Sequence, residues 1–121
     1  MLEPRIGSLP NTATRHNLAA ELALAGCEVI LLPTSDTESA LRQFRVQLAD
    51  VVRAGLPRRD ALKAVTINPA KALGLAERFG SIEKGKEADF IFLDGDPLDP
   101  RTRITRVMTH GEIVWEAPRQ P

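Results

Sequence analysis

The sequence predicts an α/β chain, and three observations carry that prediction. A helical pattern, a glycine and a nearly continuous apolar run follow one another across residues 14–32. Two further helical stretches end on Gly55 and Gly74. After Gly80 the pattern changes to short strands separated by turn residues. A helix, a glycine and then a short apolar run is the step from a helix into a parallel sheet covered on both faces. Short strands with turn chemistry between them pair as antiparallel hairpins.

Residues 6–9 (Ile6, Gly7, Ser8, Leu9) read as a short strand, and residues 10–14 as a turn rich in helix-capping side chains. The first helix is expected over residues 14–25, with Leu18, Leu22 and Ala25 at i, i+4 and i+7 on one face and Gly26 ending it. Residues 28–32, Glu28-Val29-Ile30-Leu31-Leu32, are the expected buried strand. In a loop at residues 33–39, Ser35 and Glu38 have the spacing of a capping box, and Asp36 would be favourable first-turn charge. A long helix follows, its apolar face formed by Leu41, Phe44, Leu48, Val51 and Val52.

Residues 61–75 form the centre of the chain. Asn68 is expected to cap a helix with Pro69 at its first position, and Gly74 to stop that helix. Residues 88–93 read as a strand. Residues 104–109 and 112–116 read as a hairpin turning through His110-Gly111. Residues 117–121 are a frayed tail.

Composition excludes several classes of function. The 121 residues carry 16 basic and 16 acidic side chains, so no basic field draws in nucleic acid or an anionic membrane. Cys27 is the single cysteine, which rules out an internal disulfide and a cysteine zinc cluster. No apolar run approaches the roughly 18 residues of a membrane span. A soluble, cytoplasmic protein is expected. Arg58-Arg59 lacks the glycine-rich cradle of a phosphate site and reads as solvated charge.

Thr66-Ile67-Asn68-Pro69-Ala70 through Gly74, linked to Gly80-Ser81-Ile82-Glu83-Lys84-Gly85-Lys86-Glu87-Ala88-Asp89 and the following strand, resembles the C-terminal signature of the metal-dependent amidohydrolases, of the imidazolonepropionase-like kind. Asp96-Pro97-Leu98 and the hairpin around Gly111 fit the same resemblance, which covers residues 26–116. It implies a TIM barrel with a metal site, plus a small β-rich composite domain built from both chain ends. Residues 1–78 would then be the C-terminal part of the barrel, and residues 79–121 strands of the composite domain. It implies hydrolysis of amide or other C–N bonds by metal-activated water, on a small-molecule substrate, with zinc or another divalent metal. Carried onto this chain, the family's aspartate at the end of the last barrel strand falls on Asp36, as metal ligand and general base. A carboxylate suits both roles, since it binds zinc through oxygen and accepts a proton from bound water.

A catalytic zinc ordinarily takes three protein ligands. The chain has two histidines, His16 within the expected first helix and His110 at the hairpin turn, and neither matches a ligand position of the family. Alone, the chain is therefore expected to hold no catalytic metal. The alternative reading is a metal-free structural or interaction module that completes a partner chain. A barrel is about 250 residues, so the strand at 29–32 would lack neighbours. Its apolar side chains are expected to drive a homo-oligomer or association with the remainder of a barrel, the alternative being a rearranged monomer in which the 38–54 helix covers the strand.

Overall fold

The computed structural model describes residues 1–2, 7–8 and 15–119. Strands β1 (Gly7–Ser8) and β2 (Arg15–His16) pair as a short antiparallel ribbon. Helices α1 (Leu18–Leu24), α2 (Glu38–Arg53), α3 (Arg58–Ala64) and α4 (Ile67–Ala72) follow. Strands β3 (Phe90–Leu93), β4 (Ile104–Thr109) and β5 (Glu112–Glu116) form an antiparallel sheet in the order β3-β4-β5. The chain is thus mixed α/β.

The first helix starts later than its periodicity suggests. Asn17 is the reason: its Oδ1 accepts from the Ala20 N–H at 3.1 Å, which makes it the N-cap. His16, expected inside the helix, lies on β2 instead. Of the expected strand at 6–9, Gly7 and Ser8 are found as β1. Ile6, Leu9 and the turn at 10–14 lie outside the described residues, as do residues 120–121 of the tail.

Three helices end as their glycines predict. After α1, α2 and α4 the chain closes with paired bonds. Cys27 N–H donates to Leu22 and Gly26 N–H to Ala23; Leu56 to Val51 and Gly55 to Val52; Leu75 to Ala70 and Gly74 to Lys71. These are Schellman ends, which satisfy carbonyls that have no partner within the helix. At the second of them Leu56 is buried in the core. Helix starts were read less well. The cap of α2 is Thr37, whose Oγ1 accepts from the Ala40 N–H at 3.3 Å. Ser35 bonds Thr37 side chain to side chain, so the expected Ser35–Glu38 box does not form.

Residues 28–32 are extended, but only Leu31 makes a ladder pair, a parallel bridge to Leu2. One edge is taken by Leu2, whose N–H donates to Ile30 and whose carbonyl accepts from Leu32. The other is closed by helices. The Leu31 N–H donates to the Ala64 carbonyl at 3.1 Å, and Asn68 Nδ2 donates to the Val29 carbonyl at 2.8 Å. Asn68 is therefore not the expected cap. It sits inside α4, buried, and spends its amide on a strand carbonyl that would otherwise be unpaired in the core. The expected exposure of this run is also corrected. Val29 and Leu31 are buried with Leu48, Val51, Leu56, Ala61 and Ala64, Ile30 is half-buried, and of the apolar residues Leu32 opens to solvent.

One loop joins the sheet to this core. Leu98, between β3 and β4, is buried among the helices. Arg58 forks onto Asp96 at 2.7 and 2.8 Å. Arg45 donates to the Thr102 carbonyl at 2.9 Å and reaches the Asp99 carbonyl at 3.4 Å.

Candidate functional site

Asp36 is placed by the elements on either side of it. The chain leaves the core at Leu31, turns through Pro33 and Thr34, and enters α2 at the Thr37 cap. Asp36 is the residue before that cap and is exposed. Its carboxylate has no hydrogen-bond or ion-pair partner among the described residues. It borders an open cleft of about 820 Å³ between the start of α2 and the β4–β5 hairpin.

The cleft has an apolar wall and a charged rim. Leu41, Ile104 and Trp115 line it, with Leu41 52% and Trp115 47% exposed. The rim charges are mostly committed. Glu38 pairs with Arg42 one turn along the helix, and Arg103 pairs with Asp94 at 3.0 Å. Arg45 is spent on loop carbonyls.

Among the described residues no three His, Cys, Asp or Glu side chains converge as a metal site would require. Asp36 and Glu38 share the cleft, but Arg42, Arg45 and Arg103 line it too. Three guanidiniums repel a divalent cation, and Arg42 already holds Glu38. The described residues do not, by themselves, fit a catalytic metal. His110 stands at the exposed hairpin turn, and Cys27 is exposed after α1.

Apart from Glu83, which is lowered chiefly by its hydrogen bond with Lys86, the shifted titrations fall on the joining loop. Asp99 is held down to about 2, chiefly by its hydrogen bonds from the Arg101 side chain and backbone. Asp96 is lowered by Arg58, and Asp94 by the Arg103 backbone and side chain. Each carboxylate caps a turn or pairs with an arginine, so these shifts report architecture.

Sequence reasoning found Asp36 but missed its surroundings. Leu41 fits the apolar face of α2 by spacing, yet it is exposed and lines the cleft, while Ala40 beside it is buried. Nothing in the sequence links Arg45 to a loop more than fifty residues away. Trp115, the single tryptophan, was the one available signal for the facing wall.

Comparison with known proteins bears on the whole chain. Residues 13–114 match the model of the amidohydrolase family. The chain is 32% identical over 83 residues to imidazolonepropionase of Thermoplasma volcanium, which is 64% of this chain and 20% of that protein. It is 30% identical over 105 residues to N-acetylglucosamine-6-phosphate deacetylase of Rattus norvegicus, covering 85% of this chain and 24% of that protein. Among solved structures, an amidohydrolase from Thermotoga maritima superposes with a TM-score of 0.76 at 36% identity, over 84% of this chain and 26% of that one. The chain thus spans about a quarter or less of the length of these relatives.

Proposed function

The chain belongs to the amidohydrolase family, and we propose that it supplies the C-terminal part of such an enzyme: residues 1–78 the last portion of a TIM barrel, residues 79–121 strands of the small β-rich composite domain. The observation that carries this reading is the position of Asp36. It follows the buried extended segment at once, on the loop into the next helix, with an uncommitted carboxylate. Catalytic side chains of a (β/α)₈ barrel stand on the loops at the C-terminal ends of its strands.

In the complete enzyme the reaction is hydrolysis of an amide or other C–N bond of a small-molecule substrate. A relative named for removing an acetyl group from an N-acetylated sugar phosphate agrees with that class. Zinc or another divalent metal would supply the activated water, with Asp36 as one ligand and as base. Because the described residues do not fit a metal alone, the other ligands would come from outside them. Among the described residues no helix is long and apolar enough to cross a membrane. The location we propose is the cytoplasm.

The same shortage of ligands favours a second reading, a metal-free module that completes a partner chain. Two measurements separate them. Reading the frame upstream of Met1 should reveal a His-x-His pair, and protein carrying it should bind metal and hydrolyse amides. Asp36→Ala in that protein should abolish hydrolysis. Full activity in the alanine variant would overturn the assignment of Asp36. For the 121-residue chain alone, elemental analysis should find well under one metal per chain.

A further inference from the structure

The strands of the β3-β4-β5 sheet pack little on the helices themselves. The sheet is held at its two ends instead. At one end the chain before β3 lies against α4 at Gly80 and secures the hairpin turn. There the Gly111 N–H donates to the Ala88 carbonyl at 3.0 Å, and the His110 N–H to the Asp89 carboxylate at 2.8 Å. At the other end the loop of residues 94–103 reaches the helices.

That loop holds three carboxylates, and each is taken by another arginine. Asp94 pairs with Arg103, Asp99 with Arg101, and Asp96 with Arg58 of α3. Arg45, from the middle of α2, donates to main-chain carbonyls: Thr102 at 2.9 Å, with Asp99 at 3.4 Å and Pro97 at 3.5 Å completing the fork. A guanidinium carries five donors in one rigid plane and can serve several acceptors in a fixed orientation, which an ammonium cannot. Bonds to carbonyls fix the backbone of the loop. Leu98, 6% exposed in the helical core, sets its depth. A single buried side chain leaves a loop free to pivot, and Arg45 on α2 and Arg58 on α3 are the two attachments that stop it. The loop runs straight into β3 and β4, and the Asp94 N–H ties its ends together on the Arg103 carbonyl at 3.1 Å. Its orientation is therefore the sheet's orientation.

We propose that Arg45 and Arg58 are positioning residues. Together they set the angle of the sheet against α2, and so the spacing between Asp36 and the wall formed by Ile104 and Trp115 across the cleft. Ile104 opens β4 directly after the loop, and Trp115 is carried on β5 opposite Val107 of β4. Asp36 stands just before the α2 cap, about two turns along the helix from Arg45. The clamp acts at the β3–β4 turn, so strands that join the sheet at its edges leave it in place. Its bearing on catalysis rests on the reading of Asp36 given above, and the clamp itself does not.

Trp115 is the single tryptophan, so the fluorescence of the purified chain reports the cleft. Arg45→Gln should raise the quenching of Trp115 by acrylamide, by up to about twofold because the residue is already 47% exposed. Arg45→Lys, which keeps the charge but not the fork, should do the same. Arg58→Gln should shift quenching in the same direction, although Arg58 does not line the cleft. Arg53→Gln removes the same charge from α2 at an arginine paired with Asp50, and should leave quenching unchanged. Circular dichroism checks that each variant is folded. If Arg45→Gln does not fold, Arg45→Lys and Arg58→Gln are read in its place. A folded Arg45 variant with wild-type quenching overturns the proposal. So does a response to Arg45→Gln that Arg58→Gln does not share, because nearness to the tryptophan would then explain it. Failure of the Asp36 reading shows separately, as full activity of Asp36→Ala in the longer protein, with the fluorescence results standing.

Discussion

The helical half and the sheet half each contain a short extended run of apolar residues, and they treat it in opposite ways. Residues 28–32 have almost no strand partner, yet Val29 and Leu31 are buried and both edges are closed by Leu2, Ala64 and Asn68. All four residues of β3 pair with β4 on one edge, across a register shift at Phe92–Leu93, yet much of its side-chain surface faces solvent. Ladder content and burial are separate properties. A strand can be held by side-chain amides and helix-end carbonyls, and a well-paired strand can remain open.

Single substitutions sharpen the contrast, and the largest effect should come from the buried run. Leu31→Ala is expected to cost about 2–5 kcal/mol in urea unfolding, through lost burial and a cavity. Ile91→Ala, on the exposed strand, should stay within about 0.5 kcal/mol. Equal losses would erase the distinction.

A close contact of backbone on backbone comes next. At Gly80 an added Cβ would stand 2.8 Å from the Ile67 Cα and 2.9 Å from the Ala70 Cβ, with φ at +91°. Gly80→Ala should therefore cost roughly 2–4 kcal/mol from overlap and left-handed strain together. At the hairpin turn Gly111 has a similar φ but nothing closer than 4.0 Å, so Gly111→Ala should cost only about 1–2 kcal/mol. Thermal unfolding of both variants ranks them.

Asn68 distinguishes a stitch from a cap. Asn68→Ala leaves the Val29 carbonyl without its donor, at a cost of about 1–3 kcal/mol. Asn68→Asp should be at least as damaging, because a carboxylate cannot donate to a carbonyl. A mild aspartate variant would restore the capping role that the position before Pro69 suggests.

The smallest effect is electrostatic. The folded state holds Asp99 at about 2, below its ordinary 3.8. A depressed carboxylate stabilises the fold fully above its ordinary value, and that contribution is lost as the pH falls through about 2. Stability measured over this acid range should decline. Arg101→Gln should flatten that part of the curve, and added salt should weaken it, since the pair is at the surface.

What could be read from the sequence follows the reach of each interaction. The Schellman ends at Gly26, Gly55 and Gly74 and the turn at His110-Gly111 are closed by bonds within about six residues, and all were legible. His110 and Gly111 both have positive φ, as a two-residue hairpin turn requires. Asn17 caps α1 locally but also donates to the Val51 carbonyl 34 residues away, and only its first role lies within reach of pattern reading. Asn68 was misread because its partner is 39 residues away. Asp36 was legible through its motif, but the cleft around it is assembled from α2 and the distant hairpin, which no local pattern joins.

Residue-resolved amide hydrogen exchange on dilute protein tests the contrast between the two runs most directly. The Leu31 and Leu32 N–H groups, bonded to Ala64 and Leu2 at 3.1 and 2.9 Å, should exchange only through opening of the helical core. The N–H groups of β3, on a strand much of whose side-chain surface faces solvent, should exchange faster. Leu31 exchanging as fast as Ile91 would contradict the account, because the run at 28–32 would then be neither closed at its edges nor the centre of the core.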